Sequence, residues 1–132
     1  MSLKWLEEKE MAYRAAIITL SDSGFCGERE DVSGSVIAEI VEKEGYEVVR
    51  RELIPDEEEM LAALLIQICD GDEADLILTT GGTGFSKRDR TPEATKRVIE
   101  REAPGISEAM RYCSLQVTPR GMLSRGVSGI RK

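Results

Sequence analysis

The chain has 132 residues, with 41% hydrophobic and 33% charged side chains, which fits a single globular domain and excludes fibrous, collagen-like and wholly disordered classes. Its net charge of −7 argues against a general nucleic-acid or anionic-membrane binder. Histidine is absent, which removes Ser-His-Asp and Cys-His catalysis and every imidazole metal site. The three cysteines, Cys26, Cys69 and Cys113, form no Cys-x-x-Cys pair, so zinc-ribbon and thioredoxin motifs are excluded and a reducing compartment is expected. No apolar run approaches the roughly 20 residues of a membrane span, and the charged start lacks a signal-peptide core, so a cytoplasmic protein is expected.

Residues 1–13 read as a peripheral extension, with Trp5 packing against the domain, and the domain itself is expected over 14–132. Tyr13–Leu20, with its Ile-Ile-Thr centre, predicts a buried strand, followed by a loop to Glu30. Val32, Val36, Ile37, Ile40 and Val41 recur at helical spacing, and Gly45 stands where a helix C-terminal glycine belongs. Tyr46–Ile54 predicts a second strand closed by Pro55. Asp56 is placed as the N-cap of a helix that opens with Glu57, Glu58 and Glu59 and buries Met60, Leu61, Leu64, Leu65 and Ile68. Asp75–Thr80 predicts a third buried strand, and Gly81–Gly84 follows at once. Thr91-Pro92-Glu93 reads as N-cap, first-turn proline and acidic second position of a helix to about Glu102. A further helix is expected from about Ile106 to Ser114, with Cys69 and Cys113 packed in helices. The alternation predicts an α/β domain with a parallel sheet, whose ligands bind beyond the carboxyl ends of the strands.

Three loops leave those carboxyl ends, and each admits two readings. Gly81-Gly82-Thr83-Gly84 is either a tight turn or a backbone nest for an anion, with Lys87, Arg88 and Arg90 supplying cations beside it. Asp89 either pairs with Arg88 or Arg90, or holds Mg²⁺ near a phosphate, and Asp56 is either a cap or a second carboxylate on the same crevice. Thr19, Ser21 and Asp22 either form a strand-to-loop turn or line that crevice, while Asp31–Gly34 is read as ordinary helix capping over an anion site. Ser124-Arg125 is an anion contact or a surface turn, and Cys26 is a loop thiol. Charge is uneven: residues 1–75 hold 20 of the 25 acidic groups, and residues 76–132 hold 11 of the 18 basic ones. That split fits either a local anion site or complementary faces within or between subunits.

Seven segments occur in an order that resembles the molybdopterin adenylyltransferases of the Mog type. They are Thr19–Asp22 (Thr-x-Ser-Asp), Asp31–Gly34 (Asp-x-Ser-Gly), Ile54–Asp56 (Ile-Pro-Asp), Thr79–Gly84 (Thr-Thr-Gly-Gly-Thr-Gly), Arg88–Glu93 (Arg-Asp-x-Thr-Pro-Glu), Pro104–Gly105 and Leu123–Arg125 (Leu-Ser-Arg). The resemblance implies a three-layer α/β sandwich around a mostly parallel sheet, usually a homotrimer. It implies transfer of AMP from ATP to the phosphate of molybdopterin, with Mg²⁺ as cofactor and pyrophosphate leaving. By the same resemblance, Asp56 and Asp89 carry the transfer and hold Mg²⁺. Thr19, Ser21, Asp22, Gly81, Gly82, Thr83, Gly84, Thr91 and Ser114 bind nucleotide or molybdopterin, Ser114 on the pterin side. Family members continue into a further strand, a Leu-Pro-Gly-x-Pro loop and a closing helix, so a sequence ending at Lys132 is expected to lack that part of the nucleotide pocket. MoaB-like proteins and non-catalytic molybdopterin-binding trimers share most of these motifs and stand as alternative readings.

Overall fold

Arg14–Leu20 forms the central strand, β1, because every residue from Ala15 to Leu20 is small or aliphatic except Thr19 and all are buried. A computed structural model describes residues 12–132; Trp5 and most of the 1–13 extension lie outside the described residues. β1 pairs in parallel with β2, Glu47–Ile54, on one side and with β3, Leu76–Thr80, on the other, giving the order β2-β1-β3. A register shift at Ala15/Ala16 interrupts the β1–β2 pairing. Period-two alternation divides β1 between two cores. Ala15 and Ile17 meet helix α2, Val32–Lys43, through Ala38 and Val41. Ala16, Ile18 and Leu20 meet α3, Glu58–Asp70, and α4, Thr91–Val98. Helix, sheet and helices thus make the expected three-layer α/β sandwich.

The remaining elements are a one-turn helix α1, Asp22–Phe25, a short antiparallel pair β4, Arg101–Glu102, and β5, Gly129–Ile130, and α5, Pro104–Leu115. A 3₁₀ turn over Pro119–Leu123 follows α5.

Several expectations are corrected. The loop after β1 contains α1, capped by Ser21, whose Oγ accepts from the Gly24 N–H at 3.0 Å. In α2 the exposed side chains are Val32, Val36 and Ile40, while Gly34, Ala38 and Val41 face inward. Ile37 is partly buried against the same cluster, so the inward face of the helix mixes small and branched side chains. Asp56 is not the cap of α3; that position is Glu57, without a side-chain capping bond. Met60 is 44% exposed, and Leu61, Ala62, Leu65 and Ile68 form the buried stripe. β3 is half-buried throughout, as a strand with one paired neighbour among the described residues. α4 stops at Val98, because Ile99 is extended and the chain turns into β4; the helix expected from about Ile106 is α5, which Pro104-Gly105 opens. Cys113 is exposed, and Cys69 is half-buried, with burial pushing its thiol pKa up. No helix among the described residues is long and apolar enough to cross a membrane.

Candidate functional site

Parallel pairing sets the carboxyl ends of β1, β2 and β3 side by side, so the loops at residues 21–31, 55–57 and 81–90 emerge together. Their first contact is a reciprocal clasp. The Asp56 N–H donates to Asp22 Oδ1 at 2.9 Å, and the Asp22 N–H donates to Asp56 Oδ2 at 3.1 Å. Each carboxylate therefore holds the other's backbone, which is why Asp56 does not cap α3.

The glycine loop closes over this clasp. Gly81 and Gly82 have φ of +96° and +70°, the left-handed region that glycine enters without penalty. A Cβ on Gly81 would strike the Leu20 carbonyl, and one on Gly82 would strike Thr91 Oγ1 and lie 3.4 Å from Asp56 Oδ1. A Cβ on Gly84 would come within 2.8 Å of Asp89 Oδ2. Both turn geometry and close packing thus call for glycine at positions 81 and 82. Thr91, expected as an N-cap, instead donates its hydroxyl to the Gly81 carbonyl at 2.8 Å, and its N–H donates to Gly82 O at 3.0 Å. It binds the loop to α4, whose own N-cap, Arg90, makes no side-chain capping bond.

Asp56 and Asp89 flank this loop. Asp89 pairs with neither neighbouring arginine; its Oδ2 accepts from the Ser86 N–H at 3.0 Å. Arg88 instead forks onto Asp22 at 2.9 and 3.1 Å and reaches Glu57, while Arg90 pairs with Glu58. The cations expected beside the nest are thus largely matched by acids of the N-terminal half. Arg97 with Glu58 and Glu59, and Arg131 with Asp70, extend the pattern. Acids of the N-terminal half and bases of the C-terminal half thus pair within the domain.

Electrostatics separate the two clasped carboxylates. The Arg88 guanidinium, then the Asp56 N–H, hold the Asp22 carboxyl below its ordinary pKa. Burial raises Asp56 above its own, and the negative charges of Asp22 and Asp89 add to the rise against the pull of the Asp22 N–H. Among the described residues no group of three potential ligands forms a protein-only metal site. Asp56 and Asp89 nevertheless each keep Oδ1 free of any hydrogen bond among those residues. Two carboxylates with one open oxygen each fit Mg²⁺, which is usually held by one or two carboxylates together with substrate phosphates.

An open cavity of about 500 Å³ adjoins the glycine loop at Gly81. Ser21, Thr80 and the Arg29–Ser33 segment at the start of α2 line it. Thr19 is there too, but its buried hydroxyl is 3.0 Å from both oxygens of Asp31, which in turn accepts from the Gly34 N–H. Thr19 and Asp31 are thus spent on capping α2. Ser114 stands apart, in a second cavity of about 100 Å³ with Ser107, Met110, Arg111, Ser124 and Gly126.

Residues 16–131 match the family described as "Probable molybdopterin binding domain" (MoCF_biosynth). The chain belongs to this family. Over 117 residues the chain is 40% identical to the molybdopterin adenylyltransferase of Helicobacter pylori strain J99, covering 87% of this chain and 66% of that one. The crystal structure of the molybdopterin biosynthesis enzyme MoaB of Thermus thermophilus is similar at 48% identity and a TM-score of 0.84, over 90% of this chain and 75% of that one. The tungsten cofactor synthesizing protein MoaB of Pyrococcus furiosus follows at 37% identity and a TM-score of 0.80, over 92% and 74%. The domain therefore spans 66% of the length of the first of these relatives.

One residue escaped its sequence reading. Arg125, expected as an anion contact or a surface turn, is neither: it is the main tie between the C-terminal segment and the glycine loop. The Leu-Ser-Arg motif was visible, but nothing local in it shows where a guanidinium 41 residues from Gly84 will point.

Proposed function

We propose that this domain carries the adenylyl-transfer site of a molybdopterin adenylyltransferase, using ATP and Mg²⁺. The observation that carries the reading is the convergence of Asp56 and Asp89 on either side of Gly82–Gly84, with an open oxygen on each carboxylate. In the reaction, an oxygen of the molybdopterin phosphate attacks the α-phosphorus of ATP in line, and the bond to the bridging oxygen of pyrophosphate breaks. Such a reaction needs alignment and charge neutralisation more than covalent help from the protein. The glycine loop offers backbone N–H groups to the polyphosphate, a role for Gly81, Gly82, Thr83 and Gly84. Asp56 and Asp89 would hold Mg²⁺, which when bound neutralises charge on the nucleotide phosphates. Asp22 and Thr91 act indirectly, through the clasp on Asp56 and the tie to Gly81. Ser21 lines the larger cavity and Ser114 the smaller, the latter as the pterin side. Thr19 lines the larger cavity beside Ser21 and supports the site through Asp31. Homotrimeric assembly and a cytoplasmic location belong to the same reading.

The test is direct. The protein is mixed with molybdopterin, ATP and Mg²⁺, and adenylylated molybdopterin is sought by mass spectrometry. Product that disappears in Asp56→Asn and Asp89→Asn variants of intact fold supports the proposal. Wild-type turnover in both variants sinks the mechanism. The 48% identity to a MoaB protein favours a second reading, a MoaB-like branch member. Tight molybdopterin binding without any Mg²⁺-dependent product would select it.

A further inference from the structure

We infer that Arg125 is the positioning residue of the transfer site, fixing the glycine loop and Asp89 from the side opposite ligand. This rests on the adenylyl-transfer reading above. The Arg125 side chain uses its whole fork. Its Nε donates to the Gly84 carbonyl at 2.7 Å, and one terminal nitrogen donates to the Asp89 carbonyl at 2.7 Å. The other terminal nitrogen meets Glu93 at 2.8 Å, and the Arg125 N–H donates to the Thr83 carbonyl at 2.9 Å. Three carbonyls of the loop that bears Asp89 are thus held by one residue, and Glu93 at the start of α4 neutralises the guanidinium and orients it. Carbonyls drawn toward Arg125 leave the N–H groups of their peptide planes directed the other way.

The neighbours of Arg125 extend the inference. Ser124 and Gly126, on either side of it, line the second cavity, and Arg111 holds the Gly126 carbonyl from that cavity at 2.8 Å. The Ser124–Gly126 strap therefore joins the Ser114 cavity to the loop carrying Asp89. Occupancy of that cavity and the placement of Asp89 are linked through Arg125. Lysine cannot substitute, because a single ammonium on a flexible stem does not reproduce a planar fork that serves two carbonyls and a carboxylate together.

The experiment compares wild type, Arg125→Ala and Arg125→Lys. Hydrogen exchange is followed by mass spectrometry over the peptides covering residues 81–90, and kcat and KM for ATP are measured below each variant's melting temperature. Arg125→Lys keeps the aliphatic stem and a positive charge for Glu93, so it serves if the alanine variant does not fold. Expected are faster exchange confined to 81–90 and a fall in kcat of about 10²-fold, the scale of an ångström-level misplacement. Partial rescue of the alanine variant by added guanidinium is also expected. Unchanged exchange over 81–90 overturns the inference. So does full kcat in a folded variant, or loosening spread evenly over the domain. If wild type forms no adenylylated product, the functional reading fails. The exchange data then decide alone whether Arg125 holds the loop.

Discussion

Replacing Gly82 with alanine tests the geometry of the site against a built-in control. At φ +70°, any L side chain pays about 1–2 kcal/mol for the left-handed conformation. The new Cβ also overlaps Thr91 Oγ1, which must give up its 2.8 Å bond to the Gly81 carbonyl. A lost hydrogen bond of this kind costs a further ~1 kcal/mol, so Gly82→Ala should lose about 2–3 kcal/mol in all. Gly27 is the control: its φ is +79°, and a Cβ there meets nothing within 4 Å. Gly27→Ala should lose only the conformational part. Urea unfolding separates the two. With a slope of roughly 1–3 kcal/mol per molar urea, the extra ~1 kcal/mol moves the Gly82→Ala midpoint about 0.3–1 M below that of Gly27→Ala. The Gly82 variant should also lose ATP affinity, because its Cβ would sit beside Asp56 Oδ1. Equal midpoints for the two variants would refute the packing argument.

Asp56→Asn should stabilise the fold at neutral pH. The folded carboxyl has a raised pKa, so its ionised form opposes folding. That penalty is absent below the unfolded value of about 3.9, grows as pH rises through the folded value, and is complete above it. Asparagine keeps an acceptor for the Asp22 N–H, so melts should favour the variant at pH 7 and show little difference near pH 3; destabilisation at pH 7 would contradict the assignment. Arg88→Gln should raise the Asp22 carboxyl pKa toward its ordinary value, read by NMR titration, since Arg88 is the main cause of its depression. The wild-type Asp22 contribution is present above the unfolded pKa and is lost as pH falls through the folded one. Leu61→Ala, at a fully buried position, should lose about 2–5 kcal/mol, and Met60→Ala under about 1 kcal/mol, by chemical denaturation.

The layer order was legible in the chain because its signals are local. A six-residue buried run makes β1, glycine at +93° ends α2 at Gly45, and a glycine-rich turn follows β3. Periodicity also located α3, since Leu61, Leu65 and Ile68 repeat at a spacing that one helical face must satisfy. The candidate carboxylates could be named because aspartates after strands have few places to go in a parallel sheet.

Partner choice is what the tertiary structure alone decided. Asp56 and Thr91 both carry good capping side chains at helix starts, yet Asp56 gives its carboxylate to the loop after β1 and Thr91 its hydroxyl to Gly81, at the far end of its own loop. Local propensity ranks the cap highly, but it cannot see that Asp22 or Gly81 lies within reach. The same holds for Arg88, whose partners Asp22 and Glu57 are 66 and 31 residues away, and for Arg125 on the glycine loop. An ion pair or hydrogen bond between distant residues exists only once the sheet has set three loops side by side. The amphipathic face of α2 is a packing decision of the same kind. Val32, Val36 and Ile40 had the hydrophobicity, but the face turned to β1 carries Ala38 and Val41, with Ile37 partly buried beside them. Backbone periodicity travels along the chain and can be read there, whereas side-chain pairing depends on separations that folding creates.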